Sequence, residues 1–204
     1  MIHRPSTQSR GWTLTLVLIL AGASVLAWPA DAAAQTFTGQ ARAVQATVTS
    51  LFGNSTTTLA DAGTLSDPSE PRDATAQTGT IGSLFSGEVL HAATMGWTDQ
   101  AASQASVGSL ALTLGVARIS AASAAASAVA GATGSASSVV GNLAVNGVPV
   151  FVTGTPNQIV PIPGGRLIIN EQIFSPDGVT VNALHVTVTG VADVVVASAT
   201  AGTM

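Results

Sequence analysis

Two histidines, His91 and His185, are the residues best suited to chemistry in the chain beyond its N-terminal leader. Each follows a leucine and lies five residues before a glycine, in the otherwise dissimilar segments 90–96 and 184–190. If these segments are neighbouring strands, both imidazoles could converge on a metal ion. Three acidic residues could supply a third ligand: Glu88, Asp99 and Glu171. The sequence has no close ligand pair such as His-x-His, so two solvent-facing strand histidines are the preferred interpretation.

Other signals for chemistry are weak. There is no Gly-x-Ser-x-Gly motif for a serine hydrolase, and the scattered acids form no obvious glycosidase pair. Trp97 is the single tryptophan beyond the leader, and tyrosine is absent, so aromatic platforms for sugars are scarce. Possible ligand contacts are Asn170, Glu171, Gln172 and Trp97, although such a polar triplet more often satisfies strand ends or a turn. We therefore predict no catalytic residue, no cofactor and a non-enzymatic protein.

Composition excludes several classes of function. The chain has 204 residues, of which only 8% are charged and 47% hydrophobic, and it contains no cysteine. The six basic residues are all arginine, against ten acids. Disulfides, cysteine-ligated metals, a lysine Schiff base and a P-loop are thus impossible. The acidic balance also argues against a nucleic-acid partner.

The N-terminus resembles a secretory signal peptide. Arg4 and Arg10 form a positive start, an apolar run follows from Trp12 to Leu26, and Pro29 ends it. Small residues at 32–34 predict cleavage after Ala34. An uncleaved membrane anchor is the alternative, although the apolar run is shorter than a span of about 20 residues needs. We expect export, a single domain over residues 35–204, and no membrane span in the mature chain.

Turn signals and alternating apolar residues predict an all-β domain built from hairpins. Three turns are expected to join strand pairs: Asn146-Gly147, Pro163-Gly164-Gly165 and Ser175–Gly178. Pro149 cannot donate to a ladder, which favours an edge strand there. The segment 119–130 is rich in Ala and Ser and is interpreted as a strand rather than a helix.

Two irregularities interrupt this pattern. After Val179, Val181 and Ala183, the apolar phase passes to Leu184, Val186 and Val188, which predicts a β-bulge or sharp bend near Ala183-Leu184. The segment 54–79 is rich in Thr, Ser, Asp and Pro and is predicted to be a long surface loop.

Several segments together resemble the bacterial choice-of-anchor P family. In the C-terminal half they are 154–158, 163–164, 169–172, 181–188 and 191–199; upstream they are 59–63, 89–94 and 105–107. The resemblance implies an exported protein whose shared body is followed by varied surface anchors. No Leu-Pro-x-Thr-Gly sorting signal follows residue 199 in this sequence, so we expect secretion or non-covalent surface attachment.

These observations predict a mainly antiparallel, sandwich-like all-β domain with an Ala/Val/Leu core, with a solenoid as the alternative. The expected function is a structural or adhesive role at the bacterial surface or in the extracellular matrix. Its partners would be further copies of the chain or an extracellular polymer. A glycan- or ligand-binding module is the second hypothesis, and a metal-assisted hydrolase is the third.

Overall fold

The computed structural model describes residues 36–51, 53–67, 69–132 and 134–203. Within these ranges every regular element is a β-strand and every strand pairing is antiparallel. The predicted signal peptide and its cleavage site at Ala34 lie outside the described residues. None of the described segments forms a helix that could cross a membrane.

The described residues form thirteen strands in two sheets. Sheet 1 has six strands in the spatial order β10 (Gln158–Ile162), β11 (Gly165–Ser175), β12 (Gly178–Val188), β13 (Ala192–Thr203), β1 (Phe37–Ser50) and β2 (Gly53–Thr64). Sheet 2 has seven strands. Six follow the order β3 (Pro71–Ile81), β4 (Phe85–Gly96), β5 (Ala101–Leu114), β6 (Ala117–Ala130), β8 (Ala144–Val145) and β9 (Val148–Pro149). The seventh, β7 (Ser135–Gly141), also pairs with β6.

The two sheets pack face to face around one hydrophobic core. β1 lies against β4 and β5, β13 against β5 and β6, and β12 against β6 and β7. Buried leucines and valines such as Leu184, Val181 and Leu112 fill the core together with many alanines. The all-β sandwich predicted from the sequence is confirmed, with a core of the predicted composition.

The predicted hairpins are confirmed. Asn146-Gly147 joins β8 to β9, and both residues have the positive φ that a type I′ turn requires, 51° and 80°. Pro163-Gly164 joins β10 to β11, and Pro176-Asp177 joins β11 to β12. Pro149 lies on the edge strand β9, and residues 117–130 form a strand, as the sequence indicated.

The predicted surface loop at 54–79 is wrong. Most of this segment belongs to β2 and β3, and only residues 65–70 connect them. These strands are the edges of sheets 1 and 2 on the same side of the sandwich. Edge strands cover little core, so their polar side chains show no apolar alternation, while threonine remains well suited to extended backbone.

A bend crosses five neighbouring strands of sheet 1 along one row of residues, which we call the bend row. Its members are Asn170, Ala183, Ala197, Ala43 and Ala60, on β11, β12, β13, β1 and β2. Three of them have positive φ: Asn170 at 52°, Ala197 at 51° and Ala60 at 46°. On the four inner strands, two consecutive residues face the core at the row, such as Ala183 with Leu184. The bend predicted at Ala183-Leu184 is confirmed.

Sheet 2 has a corresponding step of opposite sense. On β4, β5 and β6, two consecutive residues at the step face away from the core, such as Glu88 with Val89. Sheet 1 therefore presents an extra core-facing residue on each inner strand at its row, whereas three strands of sheet 2 present an extra outward-facing residue at their step. A depression on the outer face of sheet 1 crosses the bend row.

Replacing Val89 with Asn should stabilise the fold by about 1 kcal/mol. Val89 has φ of 49° and is 70% exposed, so a β-branched side chain is held in a left-handed conformation with little packing in return. Asn tolerates this conformation better. Urea unfolding measures the change. Val116→Asn is the control, because Val116 is also highly exposed, at 77%, but is not among the positive-φ residues. Equal shifts in both variants would contradict the assignment of strain.

Candidate functional site

A cluster of polar side chains lies on the outer face of sheet 1, centred on His185. The His185 Nδ1 atom lies 2.8 Å from Glu171 Oε2, and Nε2 lies 3.0 Å from Asp193 Oδ2. Asn182 Nδ2 also donates to Glu171 Oε2 at 2.7 Å, and the Thr187 hydroxyl donates to Asp193 Oδ2 at 3.1 Å. We call these five residues the His185 cluster.

The bend row brings this cluster together. Asn182 and His185 are an odd number of residues apart, so in an unbroken strand they would face opposite sides of the sheet. Because Ala183 and Leu184 both face the core, Asn182 and His185 both reach the outer face. Glu171 pairs with Asn182 across β11 and β12, which places the Glu171 carboxylate between the Asn182 and His185 side chains.

Carboxylates at both ring nitrogens favour the protonated form of His185. Its hydrogen bond to Glu171 raises the pKa of His185 to about 9, the contact with Asp193 adds to this, and partial burial opposes it. The bond from His185 is likewise the main cause that lowers the pKa of Glu171. Each ring nitrogen therefore carries a proton and donates it to a carboxylate. The cluster is an ion-paired network with two acids around one imidazolium.

The cluster contains a hydroxyl, an imidazole and a carboxylate, but they are not arranged as a nucleophile with its base. Thr187 Oγ1 is 3.5 Å from His185 Nε2, at the limit of a hydrogen bond, and its hydroxyl is directed to Asp193 instead. Both ring nitrogens of His185 are engaged by carboxylates, so neither is directed at the Thr187 hydroxyl. The arrangement is one of charge pairing that holds the five side chains in place.

His91 and His185 do not converge on a shared site. His91 lies on β4 in sheet 2, whereas His185 lies on β12 in sheet 1. The preceding residues, Leu90 and Leu184, are both buried in the core, so the two imidazoles are directed to opposite outer faces. The idea that the two Leu-His segments are neighbouring strands is wrong, because their likeness is a shared alternation and not a shared sheet.

The proposed third ligands are also divided between the sheets. Glu88 lies on β4 and Asp99 between β4 and β5, while Glu171 lies on β11 in sheet 1. Only Glu171 meets one of the two histidines. Across the described ranges, no group of three or more His, Asp or Glu is arranged to hold a metal ion.

Asn170 and Gln172 brace a loop rather than face solvent together. Asn170 is buried, and its Nδ2 donates to the Gly154 carbonyl at 3.1 Å. The Gln172 Nε2 donates to Asn170 Oδ1 and to the Ala136 carbonyl, at 3.1 and 3.2 Å. Asn170 thus binds a loop carbonyl, as the strand-end interpretation expects, whereas Gln172 reaches across to β7 in sheet 2 and Glu171 joins the His185 cluster.

Trp97 lies at the surface beside the start of sheet 2. It is 39% exposed and adjoins Met95, which is 41% exposed, and Pro71. These three residues border a shallow depression of about 390 Å³ that also includes Arg72 and Gln104. We call this depression the Trp97 surface.

A second depression, of about 260 Å³, lies on the outer face of sheet 1. It crosses the bend row on β12, β13 and β1, and we call it the bend groove. Its principal residues are Gln40, Arg42, Gln45, Asn182, Ser198 and Thr200. Asn182 thus belongs to both the groove and the His185 cluster.

Sequence reasoning missed Asp193, Asn182 and Thr187 as members of the His185 cluster. Thr187 was visible on the same polar phase of the strand, two residues after His185. Asn182 is an odd number of residues from His185, so the two side chains share a face of the sheet only because of the bend. Asp193 pairs with Thr187 across β12 and β13. The apolar residues on both sides of Asp193 contain no signal from which this pairing register could be predicted.

No family model, curated protein or solved structure matches the chain.

Proposed function

We propose that this chain is an exported bacterial protein with a structural or adhesive role at the cell surface or in the extracellular matrix. The signal-peptide pattern of residues 1–34 and the resemblance to choice-of-anchor P proteins support the location. The protein acts by associating with further copies of itself rather than by catalysis. The observation that carries the proposal is the uncovered edge of sheet 1.

That edge is the twelve-residue strand β2. Its first six residues, Gly53–Thr58, are all exposed. An edge strand presents unpaired backbone groups that can pair with another strand, and proteins usually block this with Pro or several charges. β2 contains no Pro and only one charged residue, Asp61. It is therefore a suitable surface for strand addition between copies.

Exposed apolar side chains on the opposite side of the sandwich form a second surface that favours association. Val148 on β9, Phe151 after it and Ile159 on the edge strand β10 are 66%, 83% and 61% exposed. Scattered apolar residues are normal on a surface, but a group of large ones beside two sheet edges favours association. Two such sides on one domain suit an extended assembly.

Thr58→Lys should weaken self-association of the protein. A lysine on the exposed part of β2 introduces charge at the edge and opposes strand addition there. Light scattering over a concentration series should show growth in mass for the wild type and a shift of that growth to concentrations about tenfold higher for the variant.

Thr49→Lys is the matched control, because it adds the same charge on the adjacent inner strand β1, at an exposed position paired with Asn54. It should assemble as the wild type does. A wild type that stays monomeric at high concentration would overturn the proposal, and equal effects of the two lysines would show that charge alone, and not the edge, controls assembly.

A glycan- or ligand-binding module is the second candidate, and the Trp97 surface favours it. A half-exposed indole beside Met95, with Arg72 and Gln104 nearby, combines an apolar platform with hydrogen-bonding groups. An NMR titration with simple sugars distinguishes this surface from the bend groove, because binding at the Trp97 surface should shift the amide signals of residues 95–104.

A further inference from the structure

The bend groove combines concavity with polar groups that lack partners. Asn182 is only 5% exposed, and its Oδ1 atom accepts no hydrogen bond within the described part of the protein. A buried amide oxygen without a donor costs free energy, and native proteins rarely leave one. Its Nδ2 is fixed by Glu171, so the amide cannot exchange its two ends without losing that bond.

The remaining groove residues supply donors and acceptors around this oxygen. Ser198 lies between Asn182 and Arg42 in the pairing of β12, β13 and β1. In the next row the Thr180 and Thr200 hydroxyls share a hydrogen bond of 2.9 Å beside Gln40. No described residue hydrogen-bonds the Ser198 hydroxyl or the Gln40 side-chain amide. The groove therefore offers hydroxyl and amide groups at close spacing.

The charge of the groove is balanced. Arg42 is its only charged lining residue, and Asp61 pairs with it at 3.0 Å. Arg42 also donates to Gln45 Oε1 at 2.7 Å, which fixes both side chains. An anionic ligand would meet an arginine that is already neutralised, and a cationic ligand would meet that same fixed guanidinium. Neutral groups that both donate and accept hydrogen bonds fit best.

We propose that the bend groove binds one neutral hexose unit of an extracellular polysaccharide. A volume of about 260 Å³ lies just below the range of drug-sized pockets and suits a single small ring. Ser198, Thr200 and Gln40 bind hydroxyls of the ring, and one hydroxyl donates to the buried Asn182 Oδ1 after the side chains that cover this atom shift aside. Val195 is the one apolar lining residue, so hydrogen bonds dominate and binding to a single sugar is weak. The inference goes beyond the self-association proposed above.

The test is a ¹H–¹⁵N NMR titration of the protein with glucose, galactose and N-acetylglucosamine. At least one sugar should shift the amide signals of residues 40–45, 180–182 and 195–200. The double variant Ser198→Ala, Thr200→Val should weaken that binding by about fivefold or more, since it removes two hydroxyls. Gln40→Ala provides a second, milder variant at the groove should the double variant fold poorly.

Thr47→Val is the matched control, because Thr47 also faces outward from sheet 1 and shares a 2.9 Å hydroxyl bond, with Thr56, but does not line the groove. It should leave binding unchanged. Absence of shifts with all three sugars, unchanged affinity in the groove variants, or shifts confined to residues 95–104 would each overturn the proposal. The last result would instead support the Trp97 surface, and none of them depends on whether the protein self-associates.

Discussion

Raising the pH from 6 to 9.5 should lower the free energy of unfolding by an amount on the order of 2 kcal/mol through His185. Its contact with Glu171 raises the pKa of His185 from 6.5 to about 9 in the folded protein. A group whose pKa is raised by folding contributes stability that is fully present below its unfolded pKa and is lost as pH rises through the folded value. This expected loss is smaller than the free energy equivalent to the whole pKa shift of His185, because solvent partly screens the charges of the cluster.

The acid side has the opposite sign. Because folding lowers the pKa of Glu171 from 4.5, its contribution is present above that value and is lost as pH falls below it. The contribution of the cluster should therefore be largest between about pH 4.5 and 6.5.

Urea unfolding across this pH range measures the effect, and NMR of the imidazole signals measures the pKa directly. His185→Gln should be less stable than the wild type at pH 6 and should lose most of the slope between pH 6.5 and 9. His91→Gln is the control, because His91 lies on the other sheet, away from these carboxylates. A wild-type slope in the His185 variant would show that the cluster is not the origin of the pH dependence.

Gly202→Ala should destabilise the protein by about 3 kcal/mol or more, through steric overlap alone. Gly202 pairs with Gly178 across β13 and β12, beside the turn at Pro176-Asp177. A methyl group on Gly202 would overlap the carbonyl oxygen of Asp177 and lie 3.2 Å from the Gly178 Cα. The Thr203 amide donates to that same carbonyl at 2.7 Å, so the backbone cannot move away without losing a hydrogen bond.

Gly134→Ala is the matched control for this prediction. Its added methyl group would meet only the Val129 carbonyl, at an ordinary 3.5 Å. Neither glycine is among the positive-φ residues, so neither substitution carries a left-handed backbone penalty. The control should change stability by no more than about 0.5 kcal/mol. Similar urea midpoints for both variants would mean that β12 and β13 separate easily at this end.

The sandwich and its hairpins could be predicted because their causes are local. A turn such as Asn146-Gly147 depends on the φ values that two adjacent residues tolerate, and alternation along a strand depends on which face is buried. The same reasoning failed at 54–79. The strands there lie at sheet edges and cover little core, so the threonines of β2 show no alternation of apolar and polar residues. Local polarity there resembles a loop although the backbone is paired.

The bend was visible in the sequence of β12 but not in its neighbours. Around Ala183 the apolar phase changes between clearly polar positions, including Asn182 and His185. In β13 the run 194–197 is apolar throughout, so the corresponding step at Ala197 leaves no trace. The extension of one local irregularity into a row across sheet 1 is a property of strand pairing.

The sequence by itself determined that the chain forms paired strands with one hydrophobic face, and it selected Glu171 and His185 as residues of interest. The tertiary structure decided that these two meet while His91 lies on the opposite face. It also decided that Asp193 and Asn182 complete the cluster. The physical reason is that alternation specifies a face within each strand, whereas contacts between distant strands depend on sheet order and register, which many sequences of equal polarity leave open.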